Sequence, residues 1–185
     1  MDYLQLSDEQ LIDAVREGKV DYYGEIIRRY QTKLSHYLRK FIATEDELED
    51  VLQDVFIKVY KNLNQFNSRL KFSAWIYRIS HNEAINHLKK YRREKISLDE
   101  GEWELIDKKA DLSESLNITL TSVSLENALS KLKEKYRQPL ILYFFEDRSY
   151  QEISDILMIP VGTVGTLINR AKNQLRKYLD RKKYE

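Results

Sequence analysis

The sequence predicts an all-α protein of two small helical domains joined by an acidic, flexible linker. Three observations carry that expectation. The 185-residue chain has only 5 Gly and 2 Pro, too few turn residues for a many-stranded sheet. Apolar residues recur at helical spacing in two blocks, on either side of a stretch rich in acids, Ser and Thr. Each block is long enough to close a core of its own. The boundaries expected from these changes in character are residues 1–95, 96–122 and 123–185.

Taken in order, Ser7 with Gln10 three residues later forms a capping-box signature ahead of Leu11, Ile12 and Val15, and Gly18 ends that short helix. A second helix is expected after Asp21 with Ile26, Ile27 and Tyr30. A third is expected to carry Leu34, Tyr37, Leu38, Phe41 and Ile42. All three read as scaffold. The next segment, ATEDELEDVLQDVFIKVYKNLNQF, opens with acids that favour a helix N-terminus. Leu48, Val51, Leu52, Val55, Phe56, Val59 and Leu63 make one broad buried face, and Asp50, Gln53, Asp54 and Ile57 lie together on another. From the residues alone, that second face reads equally as a solubilising surface or as a dock for a basic partner helix.

Gln65 to Leu70 forms a turn into KFSAWIYRISHNEAINHLKKYRREK, Lys71 to Lys95, which no Gly or Pro interrupts. At 100° per residue, Arg78, Asn82, Asn86, Lys89 and Arg93 fall on one narrow stripe, with Trp75 at its edge and Phe72, Ile76 and Ile79 alongside. From Leu70 to Lys95 there are seven basic residues (Lys71, Arg78, Lys89, Lys90, Arg92, Arg93, Lys95) against two acids, Glu83 and Glu94. Cations there suit phosphates, the Asn amides suit base edges, and a rim aromatic suits an unpaired base. By itself such a stripe also reads as a solvated helix face with Trp75 and Phe72 in the core.

After the acidic stretch, Leu125, Ala128, Leu129 and Leu132 suggest one helix, and Pro139 is expected in the first turn of the next. Ser149 and Glu152 form a second capping box before Ile153, Ile156 and Leu157. A break at Met158-Ile159-Pro160 leads into a long helix with Val164, Ile168, Ala171, Leu175 and Leu179 on one side. Helix, tight turn, helix with those apolar positions is the helix-turn-helix pattern. Gly162, Gly165, Thr166, Asn169, Arg170, Asn173, Arg176 and Lys177 share the opposite, polar and basic face, as major-groove entry requires.

Net charge is +1, so any affinity for nucleic acid must come from charge gathered on particular faces. With no Cys, disulfides, thiolate zinc sites and cysteine nucleophiles are excluded. No apolar run reaches membrane-spanning length, and MDYLQLSDEQ lacks the basic start and apolar core of a signal peptide, so a cytoplasmic location without membrane insertion is expected. His81 and His87, six residues apart, face nearly opposite sides of a helix, so no shared metal is expected; with no phosphate-cradling glycine loop and no nucleophile elbow, no cofactor and no catalytic residue are expected either. A metal-dependent helical hydrolase using the acids around Glu45 to Asp54 is the enzyme alternative.

Three motifs in order, DELEDVLQDVFIKVYKNLNQF, KFSAWIYRISHNEAINHLKKYRRE and SYQEISDILMIPVGTVGTLINRAKNQLRKYL, resemble the extracytoplasmic-function (ECF) sigma factors of bacterial RNA polymerase. The resemblance implies a region-two bundle followed by a region-four helix-turn-helix. It implies core-polymerase docking at Asp50, Gln53, Asp54 and Ile57. It implies capture of the melted minus-ten strand by Asn67, Arg69, Lys71, Trp75, Arg78, Asn82, Asn86, Lys89 and Arg93, and reading of the duplex minus-thirty-five element by Thr163, Thr166, Asn169, Arg170, Asn173 and Arg176. An anti-sigma protein is the further partner implied. A stand-alone helix-turn-helix regulator is the alternative, with no use for the Asp50 face. The chain departs from the family at Gly165 and Leu167, where cations are usual, at Thr166, where Ser is usual, and at Asn86, where Asp is common. Two cations therefore count as missing from the groove-facing helix, with an altered or weaker minus-thirty-five preference expected.

Overall fold

The computed structural model describes residues 3–98 and 128–181, with side chains placed for residues 4–91 and 128–178. The chain divides into two compact units, Met1–Leu105 and Ile106–Glu185. Helices are the only regular elements among the described residues. Most of the expected linker, 96–122, lies outside them.

The first unit contains α1 (Asp8–Arg16), α2 (Tyr23–Leu38), α3 (Glu45–Lys61) and α4 (Phe72–Leu98), with 3-10 turns at Tyr3–Gln5, Val20–Tyr22 and Leu63–Gln65. Local chemistry sets several of the ends. Ser7 Oγ accepts from the Gln10 amide and Gln10 Oε1 accepts from the Ser7 amide, closing the predicted capping box of α1. Gly18, at φ +99°, turns the chain just beyond it. Thr44 caps α3, whose first turn carries Glu45, Asp46 and Glu47.

The second and third predicted helices are a single one. Tyr30, Leu34, Tyr37 and Leu38 are all buried on one face of α2, and nothing between them breaks the helix, so two apolar clusters share one continuous stripe.

α4 packs against α1, α2 and α3. Its inward face is Phe72, Ile76, Tyr77, Ser80, His81 and Ala84, all buried. Around it the Tyr37 ring meets Phe41 edge-on at 5.1 Å and lies tilted against Tyr77 at 5.3 Å, and its hydroxyl shares a 2.8 Å hydrogen bond with His81 Nδ1. Glu25, also buried, accepts from Arg28 and Arg29 at 2.7 Å. Those bonds, Arg28's first, hold its carboxyl down to about 2. Arg29 then donates to Asp8 and to the carbonyls of Leu4 and Leu6, tying the N-terminal stretch to α2.

The second unit contains helical residues 128–130, then α5 (Glu134–Phe144), α6 (Tyr150–Leu157) and α7 (Val161–Arg181). Ser149 and Glu152 form the predicted capping box, and Met158 ends α6 in the left-handed region at φ 56°. Pro139 is not in the first turn of α5. The helix starts five residues earlier, and Pro139 deprives the Lys135 carbonyl of its usual helical donor. Burial of Tyr136, Pro139, Leu140, Ile141 and Leu142 outweighs that loss. α7 packs on α5 and α6 through Val164, Ile168 and Ala171.

Burial pushes the His81 imidazole down to about 4 from its ordinary 6.5. The unfolded chain therefore takes up this proton near pH 6.5 and the folded chain only near pH 4. His81 contributes fully to stability above pH 6.5, and that contribution, at most about 3 kcal/mol, is lost as pH falls through this window. Glu25 acts lower, between 4.5 and about 2, where acid removes its contribution. Thermal unfolding followed by circular dichroism should show a midpoint that drops between pH 7 and pH 4.5 and drops less in His81→Gln. An identical drop in both proteins contradicts the assignment.

Candidate polymerase and nucleic-acid interfaces

The outward side of each long helix follows from its buried side. On α3, Leu48, Val51, Val55, Phe56 and Val59 point inward, which leaves Asp50, Gln53, Asp54 and Ile57 exposed together, Ile57 at 42%. Tyr60, also 42% exposed, extends this surface by one turn. Its ring meets Tyr23 edge-on at 5.1 Å. An apolar residue following two exposed carboxylates, Asp50 and Asp54, suits a partner helix that brings cations beside an apolar contact.

On α4, Asn82, Asn86 and Lys89 are exposed and Arg78 is half-buried. The Arg93 side chain lies outside the described residues. Acidic Glu83 does not compete for this row, because it pairs with Lys58 of α3. Glu47 of α3 likewise lies 3.7 Å from His87. Trp75 meets both expectations in part: it is half-buried, 5.2 Å from Phe66 and 5.8 Å from Phe72, with part of its surface open to solvent.

Asn67, Arg69, Leu70 and Lys71 are exposed in the turn before α4. Asn67 Oδ1 accepts from the Arg69 amide at 3.0 Å, and the Asn67 carbonyl accepts from the Leu70 amide at 2.9 Å. This turn is held from α1. Arg16 donates from Nε to the Leu63 carbonyl at 3.0 Å, from Nη2 to the Leu63 and Phe66 carbonyls, and from Nη1 to Asp13 and Ser68 at 2.9 Å. Ser68 donates on to Asp13 at 2.7 Å, and Glu9 accepts from the Phe72 amide at 2.9 Å. Sequence reasoning left α1 as scaffold; the only local signal was the spacing of Glu9, Asp13 and Arg16, which share one face.

On α7, Thr163, Thr166, Asn169, Arg170, Asn173 and Arg176 are exposed, as are Gly162 and Lys177. Thr166 Oγ1 donates to the Gly162 carbonyl at 3.0 Å, so its hydroxyl is partly engaged within the helix. The two departures from the family pattern separate here. Leu167 is half-buried and packs against the cluster of Leu129, Leu132, Tyr136, Leu140 and Ala171. It therefore fills core, and of the two positions expected to lack a cation only Gly165 is left outside the apolar cluster. At Gly165 a Cβ atom would lie 3.3 Å from Cε2 of Tyr150, whose ring covers that position.

Among the described residues, no group of three or more His, Cys, Asp or Glu side chains is placed to hold a metal ion, and no helix is long and apolar enough to cross a membrane.

Comparison with known proteins covers both units. Residues 26–94 match the family described as Sigma-70 region 2, and residues 122–175 match Sigma-70, region 4. The chain is 32% identical to the ECF RNA polymerase sigma factor SigW of Bacillus subtilis, over 95% of this chain and 98% of that one. It is 31% identical to the ECF RNA polymerase sigma-E factor of Escherichia coli K12, over 92% and 93%. Among solved structures, CnrH in complex with the cytosolic domain of CnrY superposes with a TM-score of 0.71 at 25% identity, over 94% of this chain and 97% of that one. RpoE of Bartonella quintana, in complex with the anti-sigma factor NepR, shares the fold at a TM-score of 0.68, over 85% and 96%. With a region-two bundle and a region-four helix-turn-helix matched in order along nearly the whole chain, this protein belongs to the extracytoplasmic-function sigma factors of bacterial RNA polymerase.

Proposed function

We propose that this sigma factor works through three separate solvent-facing surfaces, each with one task in transcription initiation. Asp50, Gln53, Asp54 and Ile57 of α3 dock on core polymerase. The turn and row formed by Asn67, Arg69, Lys71, Trp75, Arg78, Asn82, Asn86, Lys89 and Arg93 hold the melted minus-ten strand. Thr163, Thr166, Asn169, Arg170, Asn173 and Arg176 of α7 read the duplex minus-thirty-five element. The domains responsible are residues 1–95 and 123–185, with 96–122 as an acidic linker. The observation that supports this reading best is the exposure of Asn67, Arg69, Lys71, Asn82, Asn86 and Lys89 in one row and of all six α7 residues in the other, on a chain related to ECF sigma factors along almost its full length.

The physical logic is division of labour. Cations fix the backbone of the nucleic acid, amides and Arg170 choose among base edges, and Trp75 offers a ring to an unstacked base. Linking two readers in one chain makes the second contact intramolecular once the first has formed, so each works while individually weak. The polymerase performs the bond-forming chemistry, and this chain supplies promoter choice in the cytoplasm. Two relatives in fold are solved with protein partners, CnrY and the anti-sigma factor NepR, which supports an anti-sigma partner for this chain as well. A stand-alone regulator has no comparable support, because it gives no role to the α3 face.

Charge reversal at Asp50 and Asp54 should weaken binding to core polymerase at least about tenfold while changing the thermal midpoint little, since both side chains are exposed. Unchanged affinity in a core-binding titration removes the docking assignment. In transcription assays on a promoter series, Asn82→Ala should relax base preference in the minus-ten region and Arg170→Ala in the minus-thirty-five region, each by about 1–3 kcal/mol at one position. A defect that appears equally at both elements contradicts separate readers. Gly165→Lys should restore one groove-side cation, with the exposed Tyr150 ring yielding to it. The salt dependence of duplex binding by the holoenzyme should then steepen by about 0.9 in log–log slope. An unchanged slope shows that position 165 does not face phosphate.

A further inference from the structure

Helix α1 lies outside the residues matched to Sigma-70 region 2, which begin at residue 26. Its Leu11, Ile12, Ala14 and Val15 are buried, so it contributes to the core. Its polar face does something different. Glu9, Asp13 and Arg16 stand at i, i+4 and i+7, within one narrow arc of the helix. All three reach the segment between α3 and α4: Glu9 takes the amide of Phe72, Asp13 takes the hydroxyl of Ser68, and Arg16 takes the carbonyls of Leu63 and Phe66 and the Ser68 oxygen. Its guanidinium also lies 5.8 Å from the centre of the Phe66 ring, which in turn packs on Trp75 at 5.2 Å.

A guanidinium is a rigid, planar set of five donors, and here it meets two backbone carbonyls, a hydroxyl and a carboxylate. Arg16 is only about a fifth exposed, at 21%, so water competes weakly for those donors. The carbonyls it binds belong to the residues that enter the turn, whereas Glu9 binds the amide that opens α4. The segment is therefore gripped at both ends, and its middle, Asn67 and Arg69 to Lys71, stands out into solvent. That is how a recognition loop is preorganised: the ordering cost is met during folding instead of at the encounter with ligand.

We infer that the Glu9–Asp13–Arg16 face of α1 is a positioning device for the minus-ten reader. It fixes the turn before α4 so that Asn67 and Arg69 meet the melted strand in one register, and Arg16 sets base discrimination without itself touching DNA. This rests on the role proposed above for the Asn67–Arg93 surface. A point charge cannot replace the fork, so Lys at position 16 does not substitute for Arg.

The test uses holoenzyme assembled from the full chain and core polymerase, presented with single-stranded DNA oligonucleotides carrying a randomised centre, with the bound fraction sequenced. Wild type enriches a defined sequence. Arg16→Ala and Arg16→Lys both keep helicity and core binding but lose that preference by at least about tenfold, the equivalent of one charge-assisted hydrogen bond. In the free chain, hydrogen exchange at amides 66–70 speeds up in both variants. Ser68→Ala, which removes a single arm of the grip and leaves the core untouched, shows a smaller loss in the same direction and carries the comparison if Arg16→Ala does not fold. Enrichment in Arg16→Ala (or in Ser68→Ala, where that variant stands in) equal to that of wild type overturns the positioning role and leaves the DNA-binding surface standing. A wild-type holoenzyme that enriches no sequence removes the DNA-reading role, and the function of the grip with it.

Discussion

Burial of one side of α4 governs the first unit. Phe72, Ile76, Tyr77, Ser80, His81 and Ala84 turn inward at helical spacing, and that choice fixes which residues turn outward. Asn82 and Asn86 are exposed on the side away from buried His81 and Ala84, and Lys89 continues that side one turn further. A rotation of the helix by a third of a turn would bury amides and cations beside Tyr37 and expose aromatic rings. The cost of burying unpaired polar groups, about 1–3 kcal/mol each, makes that alternative inaccessible. The polar surface is thus a consequence of packing. α7 obeys the same rule, with Val164, Ile168 and Ala171 inward and Asn169, Arg170 and Asn173 outward.

A net charge of +1 makes segregation necessary. An evenly mixed surface with that balance would give no field capable of holding a polyanion. Here the acid of α4 nearest the basic row is turned toward α3, where Glu83 pairs with Lys58, and Glu47 of α3 lies beside His87. Such half-exposed pairs add little stability. Their effect is to leave the outward side of α4 to amides and cations. Tyr37, Phe41, Tyr77 and His81 form the rigid base on which that row stands.

Much of this organisation was legible in the sequence where the cause is local. Ser7 with Gln10 and Ser149 with Glu152 announced two helix starts, since a capping box is contained within four residues. The outward rows of α3, α4 and α7 followed from periodicity. What escaped has distant causes. Nothing within α2 distinguishes one long helix from two shorter ones except the shared core into which Tyr30 and Leu38 point. Pro139 inside α5 is tolerated only because its neighbours are buried. Leu167 looked like a lost cation when set against the family pattern, although it stands three residues from Val164 and four from Ala171, on the apolar side. Arg16 was invisible as more than scaffold, because apart from Asp13 its acceptors lie 47 to 52 residues away along the chain.

If the outward rows of α4 and α7 face DNA within the holoenzyme, promoter DNA shields their lysines. Differential lysine acylation reads that shielding by comparing holoenzyme alone with holoenzyme in an open promoter complex. Lys71, Lys89 and Lys177 should each react several-fold more slowly in the promoter complex, while Lys33 on α2 should react at an unchanged rate. Equal reactivity of all four residues with and without promoter, or protection confined to Lys33, shows that these rows do not meet DNA.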